Sequence, residues 1–516
     1  MAEIAIWQAL AEVLSWQNLL ASLVGVVLGL VVGALPGLTI SLGMVLLLPL
    51  TFGLKSVTAM SLLLGLFAAG MTGGSFSAIL INIPGTPSAS ATVLDGHPLA
   101  QAGQAGKALG VSVISSFWGG LFSLACLVVS APLIARVALR FGAAEQFALM
   151  TLGLTLICAF AGQSVLRGLI SGVLGLLLTT VGQDPLMGTP RFTFGLVELQ
   201  AGILFIPAMI GLFAVPQVIK GMRAGASGVI PRFKLGLTQL LPSWRDLLKL
   251  KRSLLVGAAI GTGVGAIPGT GGPIAVFLAY DVARRLSRDP GAFGRGSLEG
   301  VAAPEAANNG VTGGALVPML TLGIPGDPIT AILLGALIIQ GIAPGPLLFR
   351  EHPQFVYGVF WALLLANVMT LVVALLSVRW IVQVLRVPQR ILIPVIAILC
   401  ILGSYGIRNT LFDSLVMLAF GGLGYVMQRY RFPVVPMIIG LVLGPELEEQ
   451  LRLSLILSAG DPMVFLRHPI AAAFLALTVL AFAAPVLRLA WARWRGRRAG
   501  LVSATPGPDW KVTPEQ

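Results

Sequence analysis

The chain has 516 residues and a formal net charge of +13, yet only 10% of its residues are charged and its mean hydropathy is +0.94. A soluble domain carries about 25% charged residues, so this composition excludes a soluble enzyme. It also argues against a nucleic-acid-binding protein, because the basic residues form short clusters between apolar runs, as in the cytoplasmic loops of membrane proteins.

Apolar runs recur along the whole chain. They lie near residues 19–35, 40–54, 57–72, 108–135, 146–161, 167–182, 200–219, 253–267, 272–283, 311–323, 329–343, 355–383, 391–403, 411–427, 433–444 and 469–490. About 20 apolar residues cross a bilayer as a helix, and backbone groups there must bond internally. Several runs are too short to cross alone. The pattern predicts an all-α polytopic membrane protein with about 12 transmembrane helices and some half-helices.

No basic residue precedes Lys55, so the chain lacks the basic start of a cleavable signal peptide. We therefore expect the first apolar run to be retained as a span.

Four proline-glycine breaks interrupt the apolar runs, at residues 35–37, 83–87, 267–269 and 324–328. Proline removes a backbone donor and clashes with the preceding turn, whereas glycine permits open conformations. Such breaks at membrane depth are tolerated only where they are buried in protein or line a wet cavity. The breaks therefore predict broken helices or re-entrant segments.

The breaks belong to an internal repeat. Six residues recur at a constant offset of 232: Gly25, Gly29, Gly33, Ala34, Pro36 and Gly37 match Gly257, Gly261, Gly265, Ala266, Pro268 and Gly269. Five more recur at an offset of 241: Gly73, Ile83, Pro84, Gly85 and Pro87 match Gly314, Ile324, Pro325, Gly326 and Pro328. Two matched halves are typical of secondary transporters. Whether the halves are inverted is left open by the sequence.

The repeats and charges predict five regions. Residues 1–215 form the first transmembrane repeat, 216–252 a basic cytoplasmic linker, 253–430 the second repeat, 431–492 the C-terminal spans and 493–516 a cytoplasmic polar tail. The basic residues that place the linker and tail inside are Lys220, Arg223, Arg232, Lys234, Arg245, Lys249, Lys251 and Arg252, then Arg493, Arg495, Arg497 and Arg498.

The glycine ladders Gly25–Gly33 and Gly257–Gly265 indicate close helix packing and no substrate chemistry. The breaks themselves are better candidates for a binding site. A helix that starts after a break directs free N–H groups and its positive dipole end toward a carboxylate. The candidate substrate-binding residues are Pro36, Gly37, Thr39, Gly85, Thr86, Ser88, Ser90, Pro268, Gly269, Thr270, Gly271 and Gly326. Thr86 and Asp327 are also expected to cap helices that begin at Pro87 and Pro328.

The segment Glu299–Gly310 brings polar residues into an apolar run. We expect Pro304 in the first turn of a helix, with Glu305 and Asn309 on one face. Polar groups inside a membrane are candidates for function. The candidate coupling-ion residues are Asn308, Asn309, Glu305 and Asp327.

Other features carry no predicted chemistry. Asp95–Pro98 is interpreted as a loop at the membrane surface with a solvated His97. No hydrolase, zinc-protease or nucleotide-binding loop motif is present, and three scattered cysteines predict neither disulfides nor a metal site. We therefore expect no enzymatic activity and no cofactor other than a coupling ion.

Four strings resemble one known family: GALPGLT (33–39), LINIPGTPSASATVLDGHPLAQAG (80–103), GAIPGTGG (265–272) and EGVAAPEAANNGVTGGALVPMLTLGIPGDPITAILLGAL (299–337). They are similar to the large membrane subunit, TctA, of the tripartite tricarboxylate transporter family. The resemblance runs from Gly25 to about Phe349 and is weaker in the C-terminal spans, where no site is assigned.

The resemblance implies uptake of a di- or tricarboxylate driven by a Na⁺ or H⁺ gradient across the bacterial inner membrane. It implies two protein partners: a small four-helix membrane subunit, TctB-like, and a periplasmic substrate-binding protein, TctC-like. A passive anion channel and a carboxylate permease that needs no binding protein remain alternatives. An intramembrane hydrolase is less favoured, because no paired catalytic residues lie within a span.

Overall fold

A computed structural model describes residues 2–160, 164–184, 186–223, 237–385, 387 and 389–498. Its α-helices are α1 (Ala2–Val13), α2 (Trp16–Ala34), α3 (Ile40–Leu47), α4 (Ser56–Ile81), α5 (Ser90–Leu99), α6 (Ala105–Ala138), α7 (Ala143–Phe160), α8 (Val165–Leu178), α9 (Phe205–Arg223), α10 (Leu237–Leu240), α11 (Trp244–Gly265), α12 (Gly271–Leu286), α13 (Leu298–Leu322), α14 (Pro328–Ile339), α15 (Leu348–Glu351), α16 (Pro353–Val384), α17 (Gln389–Tyr405), α18 (Leu411–Arg429), α19 (Val434–Leu457), α20 (Val464–Arg467) and α21 (Pro469–Arg498).

Two two-residue strands, β1 (Gly182–Gln183) and β2 (Pro190–Arg191), pair antiparallel between α8 and α9. Short 3₁₀ turns occupy Leu48–Thr51, Pro87–Ala89, Val197–Leu199 and Pro290–Ala292, and a π-helical turn occupies Ala100–Gln104.

The prediction of an all-α polytopic membrane protein is confirmed. Within the described residues, seven helical segments are long and apolar enough to cross a membrane: Trp16–Ala34, Ser56–Ile81, Pro87–Ala138, Ala143–Phe160, Phe205–Met222, Pro353–Val384 and Leu411–Arg429. Shorter apolar helices lie at Ile4–Val13, Ile40–Thr51, Val165–Thr179, Pro328–Ile339, Arg390–Tyr405 and Pro469–Ala483.

The first break folds the chain into a helical hairpin. A Cβ on Gly70 of α4 would meet the side chain of Ile40, the first residue of α3, and a Cβ on Gly43 would meet Val32 of α2 and Leu66 of α4. As α3 continues, it therefore moves back along α4, so α2 enters and α3 returns. The turn between them lies beside Gly70, near the middle of α4.

The glycine ladders hold these hairpins against their neighbours. Cβ atoms on Gly25, Gly29 and Gly33 would lie 2.0–2.6 Å from the carbonyl oxygens of Leu62, Leu66 and Gly70. Only glycine permits this approach between the parallel helices α2 and α4.

The second repeat makes the same contacts. Gly257, Gly261 and Gly265 of α11 press against the carbonyls of Ala303, Ala307 and Val311 of α13. Each contact reproduces one in the first repeat at the same two offsets, 232 and 241, that the sequence shows.

The two repeats are inverted, a point that the sequence left open. At the first turn of α4, Ser56 bonds Gln340, which opens the 340–345 loop, and the N–H of Gly345 in that loop bonds Leu320 at the end of α13. At the last turn of α4, the carbonyl oxygen of Ile79 lies 3.1 Å from Nδ1 of His97 in α5. Asp95, in the same helix α5, accepts the backbone N–H of Ser297, which caps the start of α13. The helices α4 and α13 therefore run in opposite directions.

Asp95 joins the two repeats, and the prediction of a surface loop here is wrong. Asp95 lies in α5 and is fully buried. Its Oδ1 accepts the backbone N–H groups of Gly294, Gly296 and Ser297 at 2.7–2.9 Å, and its Oδ2 accepts the Tyr280 hydroxyl at 2.8 Å. His97 is half-buried, and its Nδ1 lies 3.1 Å from the Ile79 carbonyl oxygen.

A charged cluster ties the α8–α9 loop to α19. Arg452 bonds Asp184 at 2.7 Å, and Arg191 bonds Glu448 at 2.7 Å. The N–H of Met187, followed by the Arg452 guanidinium, lowers the pKa of Asp184 to about 2. The carboxylate therefore stays charged, and this loop stays anchored, throughout the physiological pH range.

The predicted linker is described only in part. Residues 224–236, with Arg232 and Lys234, lie outside the described residues, as do residues 499–516 of the tail. The helix α11 begins at Trp244 with a capping box between Ser243 and Asp246, so Arg245, Lys249, Lys251 and Arg252 stand on its first turns.

Gly261→Ala is expected to lower the free energy of unfolding by about 3 kcal/mol, because the new Cβ would meet the Ala307 carbonyl at 2.1 Å. The matched control is Gly263→Ala in the same helix, where a Cβ meets nothing within 4 Å. Chemical unfolding of the two purified variants in detergent tests this packing. Equal stabilities would contradict it.

Candidate functional site

All four breaks open onto one cavity of about 820 Å³. The residues at the breaks or directly after them that line it are Thr39, Ile40 and Ser41 for the first, Thr86, Pro87 and Ser88 for the second, Gly271, Gly272 and Pro273 for the third, and Asp327, Pro328 and Ile329 for the fourth. The inverted arrangement explains this convergence. The hairpins of the two repeats run in opposite directions, and their turns lie next to each other around the cavity.

Each break is followed by the start of a helix. Thr39 caps α3 by accepting the Leu42 N–H at 3.1 Å, and Asp327 forms a capping box with Thr330 at the start of α14. The starts of α3, α12 and α14 therefore line the cavity from both repeats, and the positive dipole ends of these helices favour a bound anion.

Asn308 brings a free acceptor to the wall of the cavity. Its Nδ2 donates to the Met71 carbonyl at 2.9 Å, which fixes the orientation of the amide. Its Oδ1 is buried and has no partner. A Cβ added to Gly272 would lie 3.5 Å from that oxygen, and both Gly272 and Met71 line the cavity. A buried acceptor without a donor is costly unless a bound group satisfies it.

Comparison with known proteins identifies the family. Residues 19–439 match the tripartite tricarboxylate transporter TctA family. The chain belongs to the TctA family.

Two relatives from Agrobacterium vitis support this membership. One, the uncharacterized 52.8 kDa protein in the TAR-I ttuC' 3' region, is 38% identical over 463 residues, which are 89% of this chain and 91% of that protein. The other, an uncharacterized protein in the TAR-II ttuC' 3' region, is 41% identical over 217 residues, covering 42% of this chain and 90% of that protein. No solved structure matches the chain. This TctA-family chain is thus the membrane component of a tripartite tricarboxylate transporter.

The structure divides the predicted substrate residues of this family member into two groups. Thr39, Thr86, Ser88 and Gly271 line the cavity. The others are not among its lining residues: Pro36, Gly37, Gly85, Ser90, Pro268, Gly269, Thr270 and Gly326.

Several of the second group shape the breaks. Gly37 and Gly269 have φ of 91° and 84°, a region that favours glycine. The N–H of Gly269 donates to the carbonyl of Gly326 at 2.9 Å, which links the third break to the fourth. The Thr270 hydroxyl donates to the Val264 and Ile267 carbonyls, and the Ser90 hydroxyl donates to the Pro87 carbonyl, so both are engaged locally.

The four predicted coupling residues are buried, but they face different surroundings. Asp327 lines the cavity, and Asn308 lies behind Gly272. The Asn309 Oδ1 accepts the Thr72 hydroxyl at 3.4 Å, and its Nδ2 has no partner. Glu305 accepts hydroxyls from Thr92 and Ser116, between α5 and α6, and does not line the cavity.

Two local predictions need correction. Pro304 is an interior residue of α13, because the helix begins at Leu298 with Ser297 as its cap. Glu305 and Asn309 nevertheless remain one turn apart. Thr86 makes no capping hydrogen bond, since its hydroxyl lies 3.2 Å from the Ser88 hydroxyl. Asp327 does cap α14, as predicted.

One wall of the cavity was not predicted from the sequence. This wall comes from α9, from the end of α18 and from the turn after it, and its residues are Phe213, Gln217, Lys220, Gln428, Arg431, Phe432 and Pro433. Its parts are more than 200 residues apart and carry no shared motif. Two glutamines within otherwise apolar helices were the available signal.

Proposed function

We propose that this chain imports organic di- or tricarboxylates, as the large subunit of a secondary transporter that works with a TctB-like four-helix membrane subunit and a TctC-like periplasmic binding protein. The main support is the convergence of four breaks from two inverted repeats on one cavity. Inverted repeats with discontinuous helices around a central site are the usual design of secondary transporters.

In this proposal the carboxylate lies among the helix starts. Backbone N–H groups and the hydroxyls of Thr39, Thr86 and Ser88 bind it. All three residues line the cavity, and none of them carries a charge that would hold the anion too tightly to release. Ser90 and Thr270, whose hydroxyls are engaged elsewhere, support the turns.

The coupling cation, Na⁺ or H⁺, binds beside the carboxylate. For Na⁺ the first ligand is the Oδ1 of Asn308, the buried acceptor without a partner. Carbonyls at the breaks and Asp327 complete the set, because hard cations prefer oxygen ligands. Asn309 has a structural role, because its Oδ1 accepts the Thr72 hydroxyl and so joins α13 to α4. For H⁺ the carriers are Glu305 or Asp327, two buried carboxyl groups of the second repeat, the first inside α13 and the second at the start of α14.

The orientation of the chain in the membrane is inferred from the distribution of its basic residues. Lys220 and Arg223 end α9 next to the basic linker, and α18 runs parallel to α9, because Gly211 meets Met417 and Gly421 meets Val215. The positive-inside rule then places this end, and the C-terminus, in the cytoplasm of a bacterium whose inner membrane holds the protein. We infer that the cavity opens toward that side, because the exposed residues Lys220 and Arg431 line it.

The deciding experiment is uptake of radiolabelled citrate into proteoliposomes that hold this chain, its small membrane partner and the cognate binding protein. Accumulation above equilibrium that requires an inward Na⁺ gradient supports Na⁺ coupling, and accumulation driven by a proton gradient supports Glu305 or Asp327 as carrier. If citrate is not transported, the same assay is repeated with succinate and tartrate.

Two other results would replace the proposal. Equilibration without accumulation indicates a passive channel. Equal uptake with and without the binding protein indicates an independent permease.

A further inference from the structure

Two cations stand at the mouth of the cavity. Lys220, from the last turn of α9, and Arg431, from the turn after α18, both line it and both are exposed. Neither forms an ion pair with an acidic side chain of the described residues, and the one acidic residue of the cavity wall is Asp327, from the fourth break. The mouth thus combines positive charge with access to water.

Arg431 occupies an unfavourable backbone conformation. Its φ is 60°, in the left-handed region. The Phe432 N–H bonds the Met427 carbonyl at 2.8 Å, and the Arg431 N–H bonds the Gln428 carbonyl at 3.2 Å. These bonds form a helix-terminating motif whose left-handed position is usually glycine. An arginine there is strained, and strain of this kind often marks a functional residue.

Gln428, one turn before Arg431, adds an unsatisfied polar group. It lines the cavity, and its Oε1 is buried with no partner. Rotation of a glutamine amide exchanges its oxygen and nitrogen, so the same position presents a donor to an anion. One helical turn therefore carries a charged side chain, a strained backbone and an amide oxygen without a hydrogen-bond partner.

We propose that Lys220 and Arg431, assisted by Gln428, form a carboxylate-binding exit site that the substrate occupies between the helix breaks and the cytoplasm. The inference rests on the proposed function and adds a second binding position to it. An arginine fork suits a carboxylate, and a second cation favours substrates with at least two carboxylates. The exposed position keeps the site weak enough for release.

The test measures exchange from the inner side. Proteoliposomes with the complete transporter are loaded with graded concentrations of unlabelled citrate, and entry of labelled citrate through the external binding protein is followed. We expect Arg431→Gly and Lys220→Gln each to raise the internal citrate concentration for half-maximal exchange about tenfold, the effect of losing one charge-assisted hydrogen bond. Arg431→Lys should recover part of the loss.

The variant Arg431→Gly separates binding from folding, because glycine relieves the strained φ and should leave the protein at least as heat-stable as the wild type. The matched control is Arg429→Gln, an exposed basic residue at the end of α18 that does not line the cavity. The same half-maximal concentration for the wild type and Arg431→Gly, or equal losses for Arg431→Gly and Arg429→Gln, would overturn the exit site alone. A wild-type protein that transports none of citrate, succinate and tartrate would instead overturn the proposed function, and the exit site with it.

Discussion

Asn308→Ala is expected to reduce carboxylate uptake about a hundredfold while the protein still inserts and folds. The substitution removes the unpartnered Oδ1 at the wall of the cavity and one hydrogen bond to the Met71 carbonyl. Losing that single bond costs folding only about 1 kcal/mol. The proposed coupling cation, in contrast, would lose a ligand that a small apolar side chain cannot replace. Uptake in proteoliposomes and the unfolding temperature in detergent provide the two readouts.

The control for this prediction is Asn367→Ala on α16. Asn367 is also buried, and its Nδ2 also donates to a backbone carbonyl, that of Leu363 at 2.8 Å, but its Oδ1 lies against Gly120 of α6 and not beside a residue that lines the cavity. Asn309→Ala should lower uptake less than Asn308→Ala, because its amide faces Thr72. Full uptake by Asn308→Ala, or equal losses in Asn308→Ala and Asn367→Ala, would remove Asn308 from the site.

Asp95→Leu is expected to prevent stable folding. Its carboxylate is fully buried and accepts three backbone N–H groups and one tyrosine hydroxyl, all of which would lose this acceptor. An unsatisfied buried donor costs about 1–3 kcal/mol, so the loss of four bonds amounts to about 4 kcal/mol, close to the stability of a whole domain. Size-exclusion chromatography and thermal unfolding of the purified protein measure the outcome.

Two milder changes grade this effect. Asp95→Asn retains an acceptor for the three N–H groups and should cost much less. Tyr280→Phe removes only the hydroxyl that bonds Oδ2 and should cost about 1 kcal/mol. Equal stability of Asp95→Leu and Tyr280→Phe would show that the three backbone bonds contribute little.

The sequence predicted the features that repeat. Glycine ladders and proline-glycine breaks are local signals, since each depends on backbone chemistry that a few neighbouring residues determine. Their two constant offsets gave the repeat, and the structure shows the same offsets in the contacts of Gly257, Gly261 and Gly265.

The features that the sequence did not predict depend on distant partners. The donors that bond Asp95 are 185 to 202 residues away, so the residue was interpreted as part of a surface loop. The wall formed by Lys220 and Arg431 joins helices that no motif connects. The direction of the repeats depends on how many helices lie between them, and short apolar runs do not reveal that number.

The burial of α13 has a consequence for how the protein is made. Residues Gly300–Thr321 of this helix are all buried, and it carries Glu305, Asn308 and Asn309, side chains that a translocon inserts only at a cost of several kcal/mol when a helix enters lipid alone. The helices that receive it, α4, α6 and α11, all precede it in the chain. The ribosome therefore delivers α13 to a protein surface that is already in the bilayer. The order of the two repeats is thus a condition for biosynthesis, and a gene that encodes the second repeat first would release α13 before most of its partners exist.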